Sequence, residues 1–504
     1  MTDSNACHSI CPKGLDVSAV YDILRKQKRL RLSGEAEARI RACRVFMEGY
    51  IQSSERPIYG INTGFGSLCH VRISEEEMGQ LQLNLVRSHA CGMGAEVPQE
   101  LVRLMLLLKI QNMAAGYSGV RVELVQRLID FYNEGILPVI YEQGSLGASG
   151  DLAPLAHLSL PLIGEGEVWH KGRRRASAEV LAEMGWEPLS LSAKEGLALL
   201  NGTQFSTAYA LWAVLEGQKL WAWANVCAAL SMDGFRCLYS PLAAPLHRIR
   251  KQPGQEICAA ALREYLRESE IGKQAKEQVQ DPYAFRCVPQ VHGASWGVLQ
   301  HVKEVVENEL SSVTDNPGVF PDEDRILSGG NFHAQPIALA LDYLGLALSE
   351  LGSISERRLF QLLSGQRGLP PFLVPEPGLH SGMMIVQYTA AAIASQNKQL
   401  CTPASADSIV SSNGQEDHVS MAANAGTKTL RILDNLRRLL ALELMAAAQA
   451  LYFRLPANTG QPLRPLVEAF RQKVPPLQAD RILSNDMHRA EDFLRQEAEA
   501  LLKS

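Results

Sequence analysis

Apolar residues recur every three to four positions over most of the 504-residue chain, the spacing typical of amphipathic or buried helices. Long helices of this kind are predicted over 75–92, 101–115, 120–134, 194–220, 296–309, 336–363 and 422–453. In the last stretch Leu433, Leu436, Leu440 and Leu444 fall on one face. Alternation typical of strands is sparse. The pattern therefore predicts a mainly α fold with a central bundle of long helices.

A glycine-rich break near 116–119 divides this pattern. We predict a smaller N-terminal part over 1–115 and the helical bundle over 116–504. The position of this boundary is only approximate, and the two parts can also form a single catalytic unit. No internal repeat or low-complexity linker is visible. The N-terminal part contains Pro57–Gly66, a loop with three glycines that is too glycine-rich for a helix.

Composition and charge narrow the class of protein. Hydrophobic residues make up 46% and charged residues 20% of the chain, which is typical of a globular protein with a large core. The net charge is -5, so no basic surface for nucleic acid is expected, and no nucleic-acid partner is predicted. No uninterrupted apolar run reaches membrane-spanning length and the first residues do not form a secretion signal, so we predict a cytoplasmic protein with no membrane partner.

The ten cysteines form no CxxC pair and no regular framework, so they are interpreted as reduced thiols. Cys7, His8 and Cys11 weakly suggest a metal or redox site. A polar N-terminal arm explains them better, and no metal site is predicted.

The segment Gly144–Asp151 carries the most unusual chemistry of the chain. Three glycines crowd a short loop, and Asp151 is placed to cap the helix that the following apolar run predicts. A phosphate-binding loop and a nucleophile elbow are both excluded, because the residues they need around the glycines are missing. In a compressed loop the unhindered amide of Gly150 can attack the carbonyl carbon of Ala148. Ring closure and loss of water then leave Ser149 as a dehydroalanine.

The stretch GSLGASGDLAPLAHLSLPLIGEG, residues 144–166, resembles the signature of the aromatic amino acid ammonia-lyases. The resemblance implies a 4-methylidene-imidazol-5-one electrophile formed autocatalytically from Ala148, Ser149 and Gly150, with no external cofactor. It also implies a mainly helical fold and a homotetramer whose sites are assembled from several subunits.

Other segments resemble the same family. YGINTGFG, residues 59–66, matches the mobile loop that carries the catalytic tyrosine, which implies this role for Tyr59. LLNGTQFSTAYAL places Asn201 where the family holds substrate and electrophile. A buried amide inside an apolar helical stretch is costly unless it bonds a partner, which agrees with that role.

QDPYAFRCVPQ, beginning at Gln280, supplies Tyr283 and Arg286 three residues apart. The guanidinium fork of Arg286 suits an α-carboxylate, and the Tyr283 phenol suits a developing oxyanion. The resemblance implies a catalytic role for Tyr283 and substrate binding by Gln280 and Arg286. It likewise places Phe332, in GNFH, beside the prosthetic group.

Two positions are expected to select the substrate. His89 and Glu416 would leave unpaired polar groups around a bare phenyl ring, whereas an imidazole can bond both. The string QEDHVSM around Glu416 resembles the histidine-acting members of the family. We therefore predict elimination of ammonia from L-histidine to give trans-urocanate, the first step of histidine degradation.

Three residues depart from the usual pattern of the histidine-acting members: Arg87, Tyr141 and Gly414. Because some tyrosine-acting relatives carry an Arg-Ser-His string like 87–89, the alternative function is that of a tyrosine ammonia-lyase or a tyrosine 2,3-aminomutase. A second alternative is a catalytically silent homologue.

Overall fold

A computed structural model describes residues 7–53, 58, 60, 61, 63 and 73–501. The chain divides into two compact units. The first unit comprises Met1–Trp212, Lys303–Asp342 and Pro403–Thr427, and the second comprises Ala213–Val302, Tyr343–Thr402 and Lys428–Ser504. The predicted boundary near residue 115 does not coincide with these divisions and stays a prediction.

The chain passes from one unit to the other at five points in sequence, and four of these points lie within long helices. These helices are Gln204–Gly234, Val288–Leu310, Gln335–Leu362 and Ala422–Tyr452. The predicted helices over 296–309, 336–363 and 422–453 correspond to three of them. The prediction of a mainly α fold with long helices is confirmed.

The first unit contains most of the shorter elements. Its other α-helices are Val17–Arg25, Gly34–Ser53, Met78–His89, Gln99–Ala114, Val122–Glu134, Leu152–Ser159, Ser177–Met184 and Glu195–Leu200. Its 3-10 turns are Glu75–Glu77, Leu160–Ile163, Pro321–Glu323 and Ser412–Gly414. Local signals explain several ends: Asp16 accepts a hydrogen bond from the Ala19 amide at a helix start, and Gly135 adopts a left-handed conformation at a helix end.

Short strands in the first unit form four small sheets. Cys7–Ile10 pairs in parallel with Arg29–Leu32, and the other pairings are antiparallel. These join Met93–Glu96 to Tyr141–Gln143, Glu167–His170 to both Leu137–Pro138 and Arg173–Ala176, and Gly318–Phe320 to Arg325–Leu327.

The second unit contains helices joined by loops and no β-strand among its described residues. Besides its share of the long helices, it contains Ala244–Arg250, Pro253–Tyr265, Glu270–Lys273, Tyr283–Arg286, Met384–Leu400, Arg464–Lys473 and Leu483–Leu501. Its 3-10 turns are Ser240–Leu242, Pro371–Leu373 and Gln461–Leu463. Leu433, Leu436, Leu440 and Leu444 are all buried, as their common helical face predicts.

The helix Gln335–Leu362 is the one described helix that is long and apolar enough, by length and composition alone, to cross a membrane. Two thirds of its most apolar window is buried inside the structure (67%). Such burial is typical of a core helix.

One predicted helix is interrupted where the site is built. The expectation over 194–220 was a continuous helix, but the chain leaves Glu195–Leu200 at Asn201 and resumes helical structure at Gln204. Asn201 has φ −83° and ψ 141°, an extended conformation, and Gly202 follows with φ 120°. The Asn-Gly pair therefore forms a break between two helices rather than a position inside one.

Candidate active site

The loop Gly144–Asp151 is packed so closely that only glycine fits at its end. Gly150 has φ +83°, and a Cβ atom there would overlap the carbonyl oxygen of Gly202. The Asp151 amide donates a hydrogen bond of 2.8 Å to the same oxygen. The loop and the helix break at 201–203 therefore lie directly against each other, with the backbone of Gly150 as the contact.

Asp151 anchors the loop in a way that differs from the prediction. It precedes the helix Leu152–Ser159, but its side chain makes no capping hydrogen bond. The carboxylate is fully buried and accepts hydrogen bonds from Ser145 Oγ (2.9 Å), Ser206 N (2.8 Å) and Ser206 Oγ (2.8 Å). Burial raises the pKa of Asp151. The residue thus ties the loop to the helix that follows the break, rather than to its own helix.

The other side of the loop is held by the segment after Glu416. Ser420 Oγ donates to the carbonyl of Gly147 at 2.8 Å, and the Met421 amide donates to Leu146 O at 2.9 Å. The side chain of Ala148 packs in one apolar cluster with Val419 and Met421. The chain therefore closes on the Ala-Ser-Gly triad from a region far away in sequence.

Ser149 is held at both of its polar groups. Its hydroxyl donates a short hydrogen bond to Glu416 Oε1, and its carbonyl oxygen accepts one of 2.5 Å from Asn201 Nδ2. Glu416 is oriented in turn by Ser411 Oγ, which donates to Oε2 at 2.9 Å. Asn201 Oδ1 is buried and has no hydrogen-bond partner among the described residues. That oxygen is an unused acceptor next to Ser149.

His89 lies near Glu416 at the end of the helix Met78–His89. Its Nδ1 is 2.9 Å from the carbonyl of Leu85 and 3.0 Å from Ser88 Oγ. Burial lowers the pKa of His89, and the hydrogen bond to Leu85 and the charge of Glu416 offset only part of that effect. Because a carbonyl can only accept, we assign the ring proton to Nδ1, which leaves Nε2 as an acceptor.

Phe332 is half-buried in the turn before the helix Gln335–Leu362. The turn reaches the reactive loop, because the Ala334 amide lies 3.4 Å from Gly147 O in a long hydrogen bond. The next residue, His333, stacks on His418 with ring centroids 5.5 Å apart. The structure thus places the turn that contains Phe332 next to Gly147, and the role of Phe332 itself stays a prediction.

Gln280, Tyr283 and Arg286 belong to the second unit, whereas Ser149, Asn201 and Glu416 belong to the first. Tyr283–Arg286 is a single helical turn in which the Arg286 guanidinium lies 4.3 Å from the centre of the Tyr283 ring. Tyr283 is 70% exposed and Gln280 is exposed. The Nε atom of Arg286 is buried without a hydrogen-bond partner in the described part of the chain. Tyr59 lies outside the described residues.

The three departures from the family pattern have local explanations. Arg87 donates to Glu165 from Nε and Nη2, so it is engaged in a surface ion pair. Tyr141 packs edge-on against the ring of His157 at 5.2 Å. Gly414 has φ +84° in an exposed turn, a conformation that both glycine and asparagine adopt readily.

Two buried lysines near the site are absent from the sequence predictions. Lys109 Nζ donates to the carbonyls of Asn201 (2.9 Å) and Ala198 (3.1 Å), and burial lowers its pKa to about 7. Lys194 Nζ pairs with Asp315 Oδ2 at 2.8 Å. The available signal was a lysine in the middle of the apolar run LMLLLKIQNM, which helical periodicity alone does not distinguish from an exposed position.

Within the residues that the structure describes, no group of three or more His, Cys, Asp or Glu side chains could hold a metal ion. The geometry suits chemistry on the backbone instead, because Gly150 presents an unhindered amide one residue away from a serine whose hydroxyl and carbonyl are both held.

Comparisons with known proteins agree with this fold, which is that of carbon–nitrogen lyases that act on aromatic amino acids. The family model described as aromatic amino acid lyase matches residues 15–472, and the chain belongs to this family. The predicted family is thereby confirmed.

Three similar proteins illustrate the range of the family. The chain is 46% identical over 475 residues to a histidine ammonia-lyase from Symbiobacterium thermophilum, covering 94% of each chain. The crystal structure of histidine ammonia-lyase from Trypanosoma cruzi is 38% identical with a TM-score of 0.91, covering 99% of this chain and 95% of that one. The tyrosine aminomutase from Streptomyces globisporus is 35% identical with a TM-score of 0.93, covering 98% of both.

Proposed function

We propose that this chain eliminates ammonia from L-histidine to give trans-urocanate, the first step of histidine degradation. The observation that carries the proposal is the placement of Ser149 between Asn201 and Glu416, with Gly150 pressed against Gly202. The histidine ammonia-lyases from Symbiobacterium thermophilum and Trypanosoma cruzi support the choice of histidine by their similarity over nearly the whole chain.

The prosthetic group we propose is a 4-methylidene-imidazol-5-one made from Ala148, Ser149 and Gly150. The residues fit it: Gly150 has no Cβ to block the approach of its amide, and Asn201 holds the oxygen of the Ser149 carbonyl, whose carbon becomes part of the ring. A bond forms between Gly150 N and the Ala148 carbonyl carbon with loss of one water. Ser149 then loses its hydroxyl and its Cα hydrogen as a second water. Once formed, the group supplies the electron-poor carbon that makes the substrate amine a leaving group.

The chain's own residues would orient the substrate around that group. We assign the α-carboxylate to the guanidinium of Arg286, with Gln280 nearby in sequence, and the amine to the free acceptor Asn201 Oδ1. Tyr283 offers a phenol to developing negative charge, and Phe332 flanks the site. Tyr59 is the base for the β-proton. A tyrosine of ordinary pKa near 10 costs about 4 kcal/mol to ionise at pH 7, so Tyr59 needs neighbouring positive charge or donors.

His89 and Glu416 define what the side-chain pocket requires. His89 Nε2 and the Glu416 carboxylate are both hydrogen-bond acceptors. Once Ser149 has lost its hydroxyl, Glu416 Oε1 has no donor, so a phenyl ring would leave this oxygen and His89 Nε2 both unpaired, at about 1–3 kcal/mol each. The expectation that an imidazole bonds both groups holds only for the protonated ring: a neutral imidazole has one N–H and satisfies one of them, whereas an imidazolium satisfies both. The pocket therefore favours histidine over phenylalanine.

A tyrosine substrate is the second candidate, because the tyrosine aminomutase from Streptomyces globisporus has nearly the same fold. The Arg87-Ser88-His89 string is now weaker support for a tyrosine substrate, because Arg87 forms an ion pair with Glu165. A phenol donates one hydrogen bond and therefore also satisfies only one of the two acceptors.

We propose a homotetramer with sites assembled from several copies. Supporting it, Tyr283 is largely exposed although it is assigned a catalytic role. Large apolar side chains are also exposed in the second unit. These include Tyr343, Leu346, Phe360, Ile385 and Tyr388. A small-molecule substrate remains the expected partner, and cytoplasmic localisation, no external cofactor, no nucleic-acid partner and no membrane partner stay predictions.

One assay tests the function. Purified protein is incubated separately with L-histidine, L-tyrosine and L-phenylalanine, and the products are separated and identified by mass. Urocanate from histidine is expected. p-Coumarate or β-tyrosine from tyrosine would favour the second candidate. Intact mass distinguishes a silent homologue, since an active chain lacks two waters and a silent one retains its full mass.

A further inference from the structure

Lys109 is a buried cation to which the chemistry above assigns no role. It lies in the helix Gln99–Ala114, where residues 104–114 are all buried, and its side chain has no exposed area. Holding an ammonium group in such an interior is costly unless hydrogen bonds and opposite charges offset the loss of water. The hydrogen bonds of the Lys109 Nζ atom indicate which part of the structure this lysine stabilises.

The ammonium of Lys109 binds the end of the helix that leads to Asn201. Nζ donates to the carbonyls of Ala198 at 3.1 Å and Asn201 at 2.9 Å. A cation at the carbonyl end of a helix is favourable because the helix dipole is negative there. These bonds fix the backbone of Asn201 at the point where the chain turns out of the helix Glu195–Leu200.

The residue that Lys109 fixes is the one that holds Ser149. Asn201 Nδ2 donates to Ser149 O at 2.5 Å, so two hydrogen bonds link Lys109 Nζ to that oxygen through Asn201 alone. The two nearby acids, Asp315 and Asp151, do not accept hydrogen bonds from Lys109 in place of the Asn201 carbonyl. Asp315 accepts an ion-pair hydrogen bond from Lys194, and Asp151 accepts from Ser145 and Ser206. Both acids still influence Lys109 electrostatically.

We propose that Lys109 is a positioning residue: it fixes the backbone of Asn201 so that the Asn201 amide is aimed at the carbonyl oxygen of Ser149. The inference rests on the proposed function, because the aimed amide matters only if Ser149 becomes part of the electrophile. A donor held in place before the reaction needs no reorganisation during it, which is the condition for effective electrostatic stabilisation. Lys109 thereby serves both formation of the ring and turnover.

The test compares Lys109→Met with a matched variant of the same helix, Gln111→Met. Gln111 is also buried, and its Nε2 also donates to a backbone carbonyl, that of Cys11 at 2.9 Å, but no hydrogen bond of the described structure joins it to Asn201. Lys109→Arg retains the charge and the donors, and Lys109→Gln serves if Lys109→Met does not fold. The measurements on the full-length chains are the unfolding temperature, the fraction of chains lacking two waters by intact mass, and kcat and KM per converted chain.

For Lys109→Met we expect incomplete conversion, or full conversion with kcat lowered about 10- to 100-fold and KM within about threefold. This loss is smaller than the roughly 100- to 1,000-fold cost of removing a positioned donor, because Asn201 itself is still present. Gln111→Met should convert fully and keep its kcat, and Lys109→Arg should recover most of the loss. The proposal is overturned if Lys109→Met, or Lys109→Gln, converts and turns over like Gln111→Met. Failure of the proposed function is distinguishable, because the wild-type chain itself would then show no loss of water and no elimination product.

Discussion

The hydroxyl of Ser149 donates a hydrogen bond to the carboxylate of Glu416, which lies 267 residues further along the chain. Asn201 holds the carbonyl of the same serine from a third region of the sequence. Three segments of the first unit therefore meet at one residue. Serine in this position is constrained at the hydroxyl that dehydration would remove and at the carbonyl whose carbon would join the ring.

Gly150→Ala should prevent ring formation. The added Cβ would overlap Gly202 O, and φ of +83° is unfavourable for alanine, so the loop has to move away from the helix break. We expect a lower unfolding temperature and an intact mass that retains both waters. Gly172→Ala is the control, because Gly172 has φ +73° but no atom within 4 Å of the added Cβ. If Gly150→Ala still lost two waters, close packing at this position would not be required for cyclisation.

Many residues of the candidate site could be predicted because each lies in a short, recognisable sequence motif. Ser149, Asn201 and Glu416 come from separate motifs, and the structure brings these three together. Periodicity predicted the long helices but not the break at Asn201, since an apolar stretch has the same appearance whether or not it is interrupted.

The hydrogen-bond partners of Lys109 and of Asp151 could not be predicted from the sequence, and the reason is not helical periodicity. Both depend on which chain segments pack together, and local sequence specifies burial far better than it specifies the partner. Asp151 has the right position for a helix cap, yet its oxygens bond Ser145 and Ser206. The helix-capping rule therefore located the start of the helix Leu152–Ser159 correctly, but it assigned the wrong hydrogen bonds to Asp151.

Glu416→Gln should impair turnover of histidine much more than folding. The amide keeps the size of the carboxylate and one acceptor oxygen, but removes the charge that we propose faces the substrate ring. We expect kcat/KM to fall by about 10- to 100-fold, the scale of losing a hydrogen bond to a charged group, with a small change in unfolding temperature. Asp417→Asn is the matched control, because Asp417 is exposed and adjacent in sequence. Equal kinetics for Glu416→Gln and Asp417→Asn would remove Glu416 from the site.

Mixing two inactive variants tests whether sites are assembled from several copies. Chains with Ser149→Ala and chains with Arg286→Leu are co-expressed with different tags, and the mixed oligomers are isolated. If each site takes Ser149 from one copy and Arg286 from another, random assortment restores about a quarter of wild-type activity.

The control pair is Ser149→Ala with Glu416→Gln. Ser149 and Glu416 are hydrogen-bonded within one chain, so each mixed site still lacks one of them and no activity should return. Sedimentation of the wild-type chain as a monomer would contradict the proposed assembly directly.

Acid should destabilise the chain through its buried histidines, and His292 is the sharpest case. Its side chain is fully buried in the second unit, with Nδ1 2.8 Å from Asn225 Oδ1 and Nε2 3.5 Å from Arg358 Nη1. Burial and then the charge of Arg358 lower the pKa of His292 well below the ordinary value. The folded state therefore binds fewer protons than the unfolded state, and stability is lost as the pH falls below about 6.5.

Proton uptake on unfolding measures this difference without requiring reversibility. When the chain is unfolded by urea in weak buffer at pH 5.5, the freed His292 should take up about 0.9 proton, since an ordinary histidine has a pKa near 6.5. His292→Gln should reduce the uptake by that amount, because glutamine does not titrate. His301→Gln removes an exposed histidine and serves as the control. An uptake by His292→Gln equal to that of the wild-type chain would show that His292 already carries its proton when folded.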